Sequence, residues 1–151
     1  MKKKRQLQQA FALIEVLFAF GLVAVSALIV AATMPVATTS RAKANLQYKA
    51  MGLAQKQIEA IQGLGYANAT SSQLLSFNLI DSSTAVSTNT YLFSNADSGA
   101  RDNPARILPN GTGTVKVEQA DIDLRRVVVT VNWTDRGVAK SYTLGTLIAN
   151  L

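Results

Sequence analysis

Apolar side chains are spread unevenly along the 151 residues, and their spacing changes twice. From Phe11 to Met34 they run almost without interruption; only Glu15, Gly21, Ser26 and Thr33 fall outside the apolar set. Wound as a helix, this stretch is about 36 Å long, enough to cross a hydrocarbon core of about 30 Å. A basic stretch, MKKKRQLQQA, precedes it, and Pro35 follows it. Proline removes a backbone donor and crowds the preceding turn, so a break or kink is expected there.

Beyond Pro35 the spacing becomes helical. Ala42, Leu46, Ala50, Leu53, Gln57, Ile61 and Leu64 recur at steps of three and four, with most charged residues elsewhere around the wheel. The pattern predicts an amphipathic helix over 35–65, with Gly63 and Gly65 as stop signals. Its stripe is too short to argue a coiled coil. Residues 66–113 are rich in Ser, Thr, Asn, Asp, Gly and Ala, and only LLSFNLI and TYLF interrupt them. This predicts a long loop region with one or two short strands or a helical turn.

The last third alternates. Val115 and Val117 share one face of TVKVEQA, and Val127, Val129, Val131 and Trp133 share one face of RRVVVTVNWTD. After the turn signal TDRG, Tyr142, Leu144 and Ile148 share a face of the final run. Two alternating runs about a Gly-containing turn predict a hairpin, extended to a meander by the 115–119 strand. An apolar sheet face needs a cover, and the helix stripe can supply it. The expected fold class is therefore α+β: a long N-terminal helix, half membrane-spanning and half amphipathic, packed on a small antiparallel sheet. The divisions read as 1–10 leader, 11–34 span, 35–65 amphipathic helix and 66–151 loops and sheet. Roughly 115 residues follow the apolar run, enough for one small core. Trp133, on the apolar strand face, is expected in it.

Charge sharpens the N-terminal reading. The formal net charge is +6, from 15 Lys and Arg against 9 Asp and Glu. Lys2, Lys3, Lys4 and Arg5 supply four of the positive charges. The rest of the chain has 11 basic residues (15 less those four) against 9 acidic ones. No basic face interleaved with aromatics follows residue 10, so nucleic-acid binding is not expected. A basic cluster ahead of a span instead predicts a cytoplasmic N-terminus with the remainder carried across. The chain has no cysteine and no histidine, which removes disulfides, thiol nucleophiles, His-dependent triads and the usual zinc ligands. No phosphate-cradling glycine loop is present, and Asp121/Asp123 sit in a turn without a pocket to tune them. No enzymatic activity, cofactor or metal is expected.

Glu15 remains to be explained. A cleavable signal peptide has a shorter apolar region and no carboxylate in its first turns. A plain anchor accounts for the length and the basic flank but gives a carboxylate in hydrocarbon, which is costly, no purpose. A third reading gives it one. The sequence QQAFALIEVLFAFGLVAVSALIV, with its short basic leader, its small residue Ala10, and Phe11-x-x-x-Glu15 opening an apolar helix, resembles the N-terminal signal of type IV pilins and type II secretion pseudopilins.

The resemblance implies that a membrane prepilin peptidase cuts between Ala10 and Phe11 on the cytoplasmic side. The new Phe11 amine is then N-methylated. The family favours Gly where this chain has Ala10, and often has Thr at position 12, where this chain has Ala. In the family's assembled filaments the matching carboxylate, here Glu15, meets the amine of a neighbouring subunit. Residues 11 and 15 are also one turn apart, so a pair within one chain is geometrically open. The runs AMGLAQKQIEAIQGL and VVVTVNWTDRGVAKSYTLGTLIAN resemble minor pilins of the type IV pilus modification group, and the missing cysteines suit a minor subunit. The resemblance covers the first 65 residues and about the last 25.

The implied role is a structural subunit that primes or joins a type IV pilus. Its partners are other pilin or pseudopilin subunits, the peptidase-methylase and the inner membrane, with the C-terminal part in the periplasm. A minor pseudopilin of type II secretion and a membrane-anchored periplasmic binding domain are the alternatives. Three Asn-x-Thr sequons, at Asn68, Asn110 and Asn132, match by pattern in a chain rich in Ser and Thr. Asp97, Asp102, Asp121 and Asp123 suggest a calcium loop only weakly, because scattered loop acids are usually solvated.

Overall fold

The computed structural model describes residues 2–96 and 102–150, with side chains described from Ile14 onward except at positions 35 and 37. The chain is α+β and forms two compact units, residues 1–42 and 43–151. Its elements are helix α1 (Lys2–Asn68), helix α2 (Ser71–Ser76), strand β1 (Thr90–Leu92), helix α3 (Pro104–Ile107), and strands β2 (Thr112–Asp121), β3 (Leu124–Asp135) and β4 (Val138–Ala149).

In the first unit α1 is continuous. The expected break at Pro35 does not occur: the backbone is helical through that position, and the non-helical residue inside α1 is Gly65. A proline forfeits one intrahelical bond, and the turns on either side continue the helix around it. On those turns Thr33 Oγ1 donates to the Val30 carbonyl at 3.1 Å and Thr39 Oγ1 to the Val36 carbonyl at 2.9 Å. Neither hydroxyl reaches the Ala31 carbonyl, the one that Pro35 leaves without its N–H partner.

In the second unit α1 presents the predicted stripe. Ala50, Leu53, Ala54, Ile58 and Ile61 are buried, with Leu46 and Leu64 partly so, while Ala42 of the predicted stripe is exposed. Gln57 lies on the same stripe and is satisfied there, donating through Nε2 to the Leu79 carbonyl. A buried amide without a partner would cost roughly 1–3 kcal/mol, so this bond fixes the 77–80 loop against the helix. The helical backbone is interrupted at Gly65, not at Gly63, three residues before α1 closes at Asn68. Gly65 has φ 75° and ψ 175°, a region open essentially to glycine alone.

The sheet is antiparallel with strand order β1-β2-β3-β4. Register pairs Val115 with Val129 and Val117 with Val127, and across the hairpin Val131 with Tyr142 and Val129 with Leu144. Alternation therefore collects Val115, Val127, Val129, Val131, Trp133 and Ile148 on one face, in a single core with the α1 stripe. Asp135 pairs with Val138 about the two-residue turn Arg136-Gly137, where φ is +51° and +81°, as a type I′ hairpin requires. The predicted 115–119 strand is longer, running from 112 to 121, and its pairing slips between Gln119 and Asp121.

The loop region contains the expected short pieces. The expected helical turn falls on SSQLLS, where Leu74 is fully buried and holds the segment on the core. At α3 the buried Asn103 caps the helix, its side chain accepting from the Arg106 N–H, and Pro104 sits at the first helical position.

Candidate functional site

Sequence reasoning places the site at Ala10, Phe11 and Glu15. The side chains of Ala10 and Phe11 lie outside the described residues; their backbone belongs to α1. Glu15 is described, and it is exposed. Phe11 and Glu15 are four residues apart on one helix and so share a face.

The surroundings of Glu15 define its chemistry. Every described side chain from Ile14 to Met34 is exposed, including Phe18 at 73% and Phe20 at 71%. The segment does not use its own fold to cover its apolar surface. Helix α1 is long and apolar enough in this region to cross a membrane. Its other polar side chains are satisfied locally: Ser26 Oγ donates to the Leu22 carbonyl at 2.8 Å, and Thr33 bonds to Val30 as above. Glu15 has no equivalent solution. An ionised carboxylate only accepts, and the helix N–H groups around it are committed to carbonyls four residues back. Its donor must come from outside the helix interior: water, a headgroup, or an amine.

Shallow grooves on this helix are lined by Leu17, Phe18, Gly21, Leu22 and Val25, and by Leu22, Val23, Ser26, Ala27, Val30, Ala31 and Met34. They are gaps between neighbouring exposed side chains, with almost no polar lining. They offer packing for another apolar helix or for acyl chains, and nothing that would hold a polar substrate.

The second unit holds one polar cluster that sequence reasoning missed. Arg125 donates to the Ala69 carbonyl at 2.6 Å and lies 4.6 Å over the Tyr66 ring, while Tyr66 donates to the Ile122 carbonyl at 2.9 Å. These contacts fasten the chain just after Gly65 to the β2–β3 turn. Arg125 and Tyr66 are far apart in sequence, and neither stands in a pattern, so no local signal announces the clasp.

On the outer sheet face Lys116 and Glu118 form an ion pair at 2.6 Å, with Arg126 at 3.8 Å from the same carboxylate. The Lys116 hydrogen bond, helped by the charges of Lys116 and Arg126, holds the Glu118 carboxyl below its ordinary value, against a smaller opposing effect of desolvation.

The acids considered for calcium are dispersed. Asp102 pairs with Lys56 at 3.3 Å, Asp121 accepts from the Ile122 N–H, and Asp123 accepts from Asn150. Asp97 lies outside the described residues. Among the described residues no three His, Cys, Asp or Glu side chains gather as a metal site would require. Trp133 is buried in the core, as its strand position predicts. Comparison with protein-family models, curated proteins and solved structures gives no match.

Proposed function

We propose that the chain is a minor pilin or pseudopilin, a structural subunit that primes or joins a type IV pilus. The observation that carries the reading is the placement of Glu15. It is the one carboxylate of the apolar run 11–34, whose described side chains are all exposed, and it stands four residues after Phe11, where cleavage behind Ala10 would create an amine. Removing the basic leader supplies the cation that the sequence otherwise lacks beside Glu15. A buried carboxylate is tolerable when paired and strongly destabilising when its partner is removed.

In this reading α1 holds the subunit in the inner membrane, with the leader cytoplasmic and residues 43–151 periplasmic. The subunit is then extracted into a helical bundle, where its exposed apolar positions pack against neighbouring helices. The N-methylated Phe11 amine of one subunit and Glu15 of another fix the axial register. The pilin-like fold follows from the same assignment, with a long N-terminal helix whose second half covers an antiparallel sheet. Peptidase and methylase act on the chain; the chain's own contribution is packing and one charge pair. The type II secretion pseudopilus uses the same chemistry, and this reading covers it as the alternative assembly.

The test is Glu15→Ala and Glu15→Gln in the full chain. Both variants are expected to insert in the membrane at normal levels and to lose incorporation into filaments by tenfold or more, which corresponds to about 1.4 kcal/mol. Normal incorporation of either variant overturns the proposed role of Glu15.

A further inference from the structure

The assembly reading uses the N-terminal segment and leaves the sheet without a task. The edge of β4 invites one. Asp135 and Val138 close a two-residue turn, so they exchange both backbone bonds, and the alternation then commits the even positions of β4 to β3. The same alternation continues across the sheet, where the Val117 N–H reaches the Asn89 carbonyl and the Phe93 N–H reaches the Gly113 carbonyl. The N–H and C=O groups of Ala139, Ser141, Thr143, Gly145, Leu147 and Ala149 therefore face away from β3. Among the described residues none bonds to them.

Edge strands are ordinarily blunted by shortness, proline, bulges or charge. β4 has twelve residues, no proline, one charged residue (Lys140) and an uninterrupted register with β3. Beside the edge, the core-facing Tyr142 and Leu144 are only partly buried. Gly145 adds a second observation. A Cβ there would meet Val127 O and Val128 Cγ2 at 3.7 and 3.8 Å, ordinary contacts, and its φ is not positive. Nothing inside this chain requires glycine at that point, and glycine inside a strand often marks the close approach of another backbone.

We infer that the free edge of β4 seats an extended segment of a different polypeptide in the same assembly, added to the sheet as a fifth strand. Only an extended backbone complements a row of alternating N–H and C=O groups. The segment must lack proline across its contact and carry aliphatic side chains at alternate positions, to cover Tyr142 and Leu144. A second copy does not suit the edge. Gln62 bonds Thr146 and Tyr66 bonds Ile122, so α1 advances toward the β2–β3 turn in the same sense as β4. Pairing two β4 strands about a two-fold reverses residues 43–68 of α1 as well, and the two chains would then enter the joined sheet from opposite ends, whereas the head-to-tail subunits of one filament all run in the same sense. The other edge of a copy in the same orientation is β1, with three residues against twelve.

The partner's identity rests on the assembly reading; the edge geometry does not. The test follows amide hydrogen exchange at single residues in the full chain, in native membranes and after purification in detergent. The amides of Ser141, Thr143, Gly145 and Leu147 are expected to exchange at least about tenfold more slowly in the membranes, with those of Tyr142 and Leu144 unchanged. Thr143→Pro removes an outward N–H and no β3–β4 bond; it should lose this protection, while Thr143→Val keeps it. Trp133 fluorescence reports whether either variant folds, and the wild-type exchange comparison stands if one does not.

Equal exchange in the two preparations overturns the inference. So does protection that persists in detergent together with a doubled mass of the purified chain, the signature of self-pairing. Open edge amides in a chain that is cut at Phe11 and incorporated would leave the assembly reading intact. An uncut, unincorporated chain with protected edge amides would reject the assembly reading and keep the edge.

Discussion

Two carboxylates in this chain obey opposite rules. Glu118 has its partners in the fold: Lys116 two residues along the same strand and Arg126 directly opposite on β3. Its folded-state pKa is lowered, so the pair contributes stability that is fully present above the ordinary value of 4.5 and is lost as pH falls through the lower folded value. In Glu118→Gln the stability deficit relative to wild type should therefore hold steady from neutral pH to about 5 and close as pH falls below 4.5. Urea midpoints followed by Trp133 fluorescence at low salt measure it; a gap that widens on acidification contradicts the pairing. Glu15 has no partner among the described residues, and it could be found from sequence because a lone carboxylate in an apolar run is visible without a structure. Glu118, Gln57 and Arg125 were not legible in that way, because each owes its role to a group placed beside it by folding.

Among the elements, those with a period were legible. The three-four spacing of Leu46, Ala50, Leu53, Gln57, Ile61 and Leu64 gave the covering stripe. The alternation of Val127, Val129, Val131 and Trp133 gave the sheet's inner face, and TDRG gave the turn. The helical turn allowed for in the loop region falls on SSQLLS, where the core has a place for Leu74. The break expected at Pro35 does not occur, since the backbone stays helical through that position. Gly65 and Ile61 test the account of α1. Gly65→Ala places a Cβ on a residue with φ 75° and ψ 175° and should cost about 1–3 kcal/mol. Ile61→Ala empties a fully buried site between helix and sheet and should cost about 2–5 kcal/mol. Urea unfolding in detergent reads both; a loss below about 0.5 kcal/mol in Ile61→Ala would mean that the stripe does not carry the core.

For the whole molecule, the two compact units answer to different solvents. Residues 43–151 bury their apolar faces against each other, whereas residues 14–34 keep every described side chain exposed. In the proposed function such a chain is completed by its surroundings, first by a membrane and then by the helices of neighbouring subunits. The central claim is that leader removal creates the cation that makes Glu15 tolerable in a filament. Mass spectrometry of the N-terminal peptide, from full-length protein expressed beside a prepilin peptidase and recovered from membranes, tests it most directly. A mature chain beginning at N-methylated Phe11 is expected. A chain that still begins at Met1, or that begins beyond Met34, would contradict it.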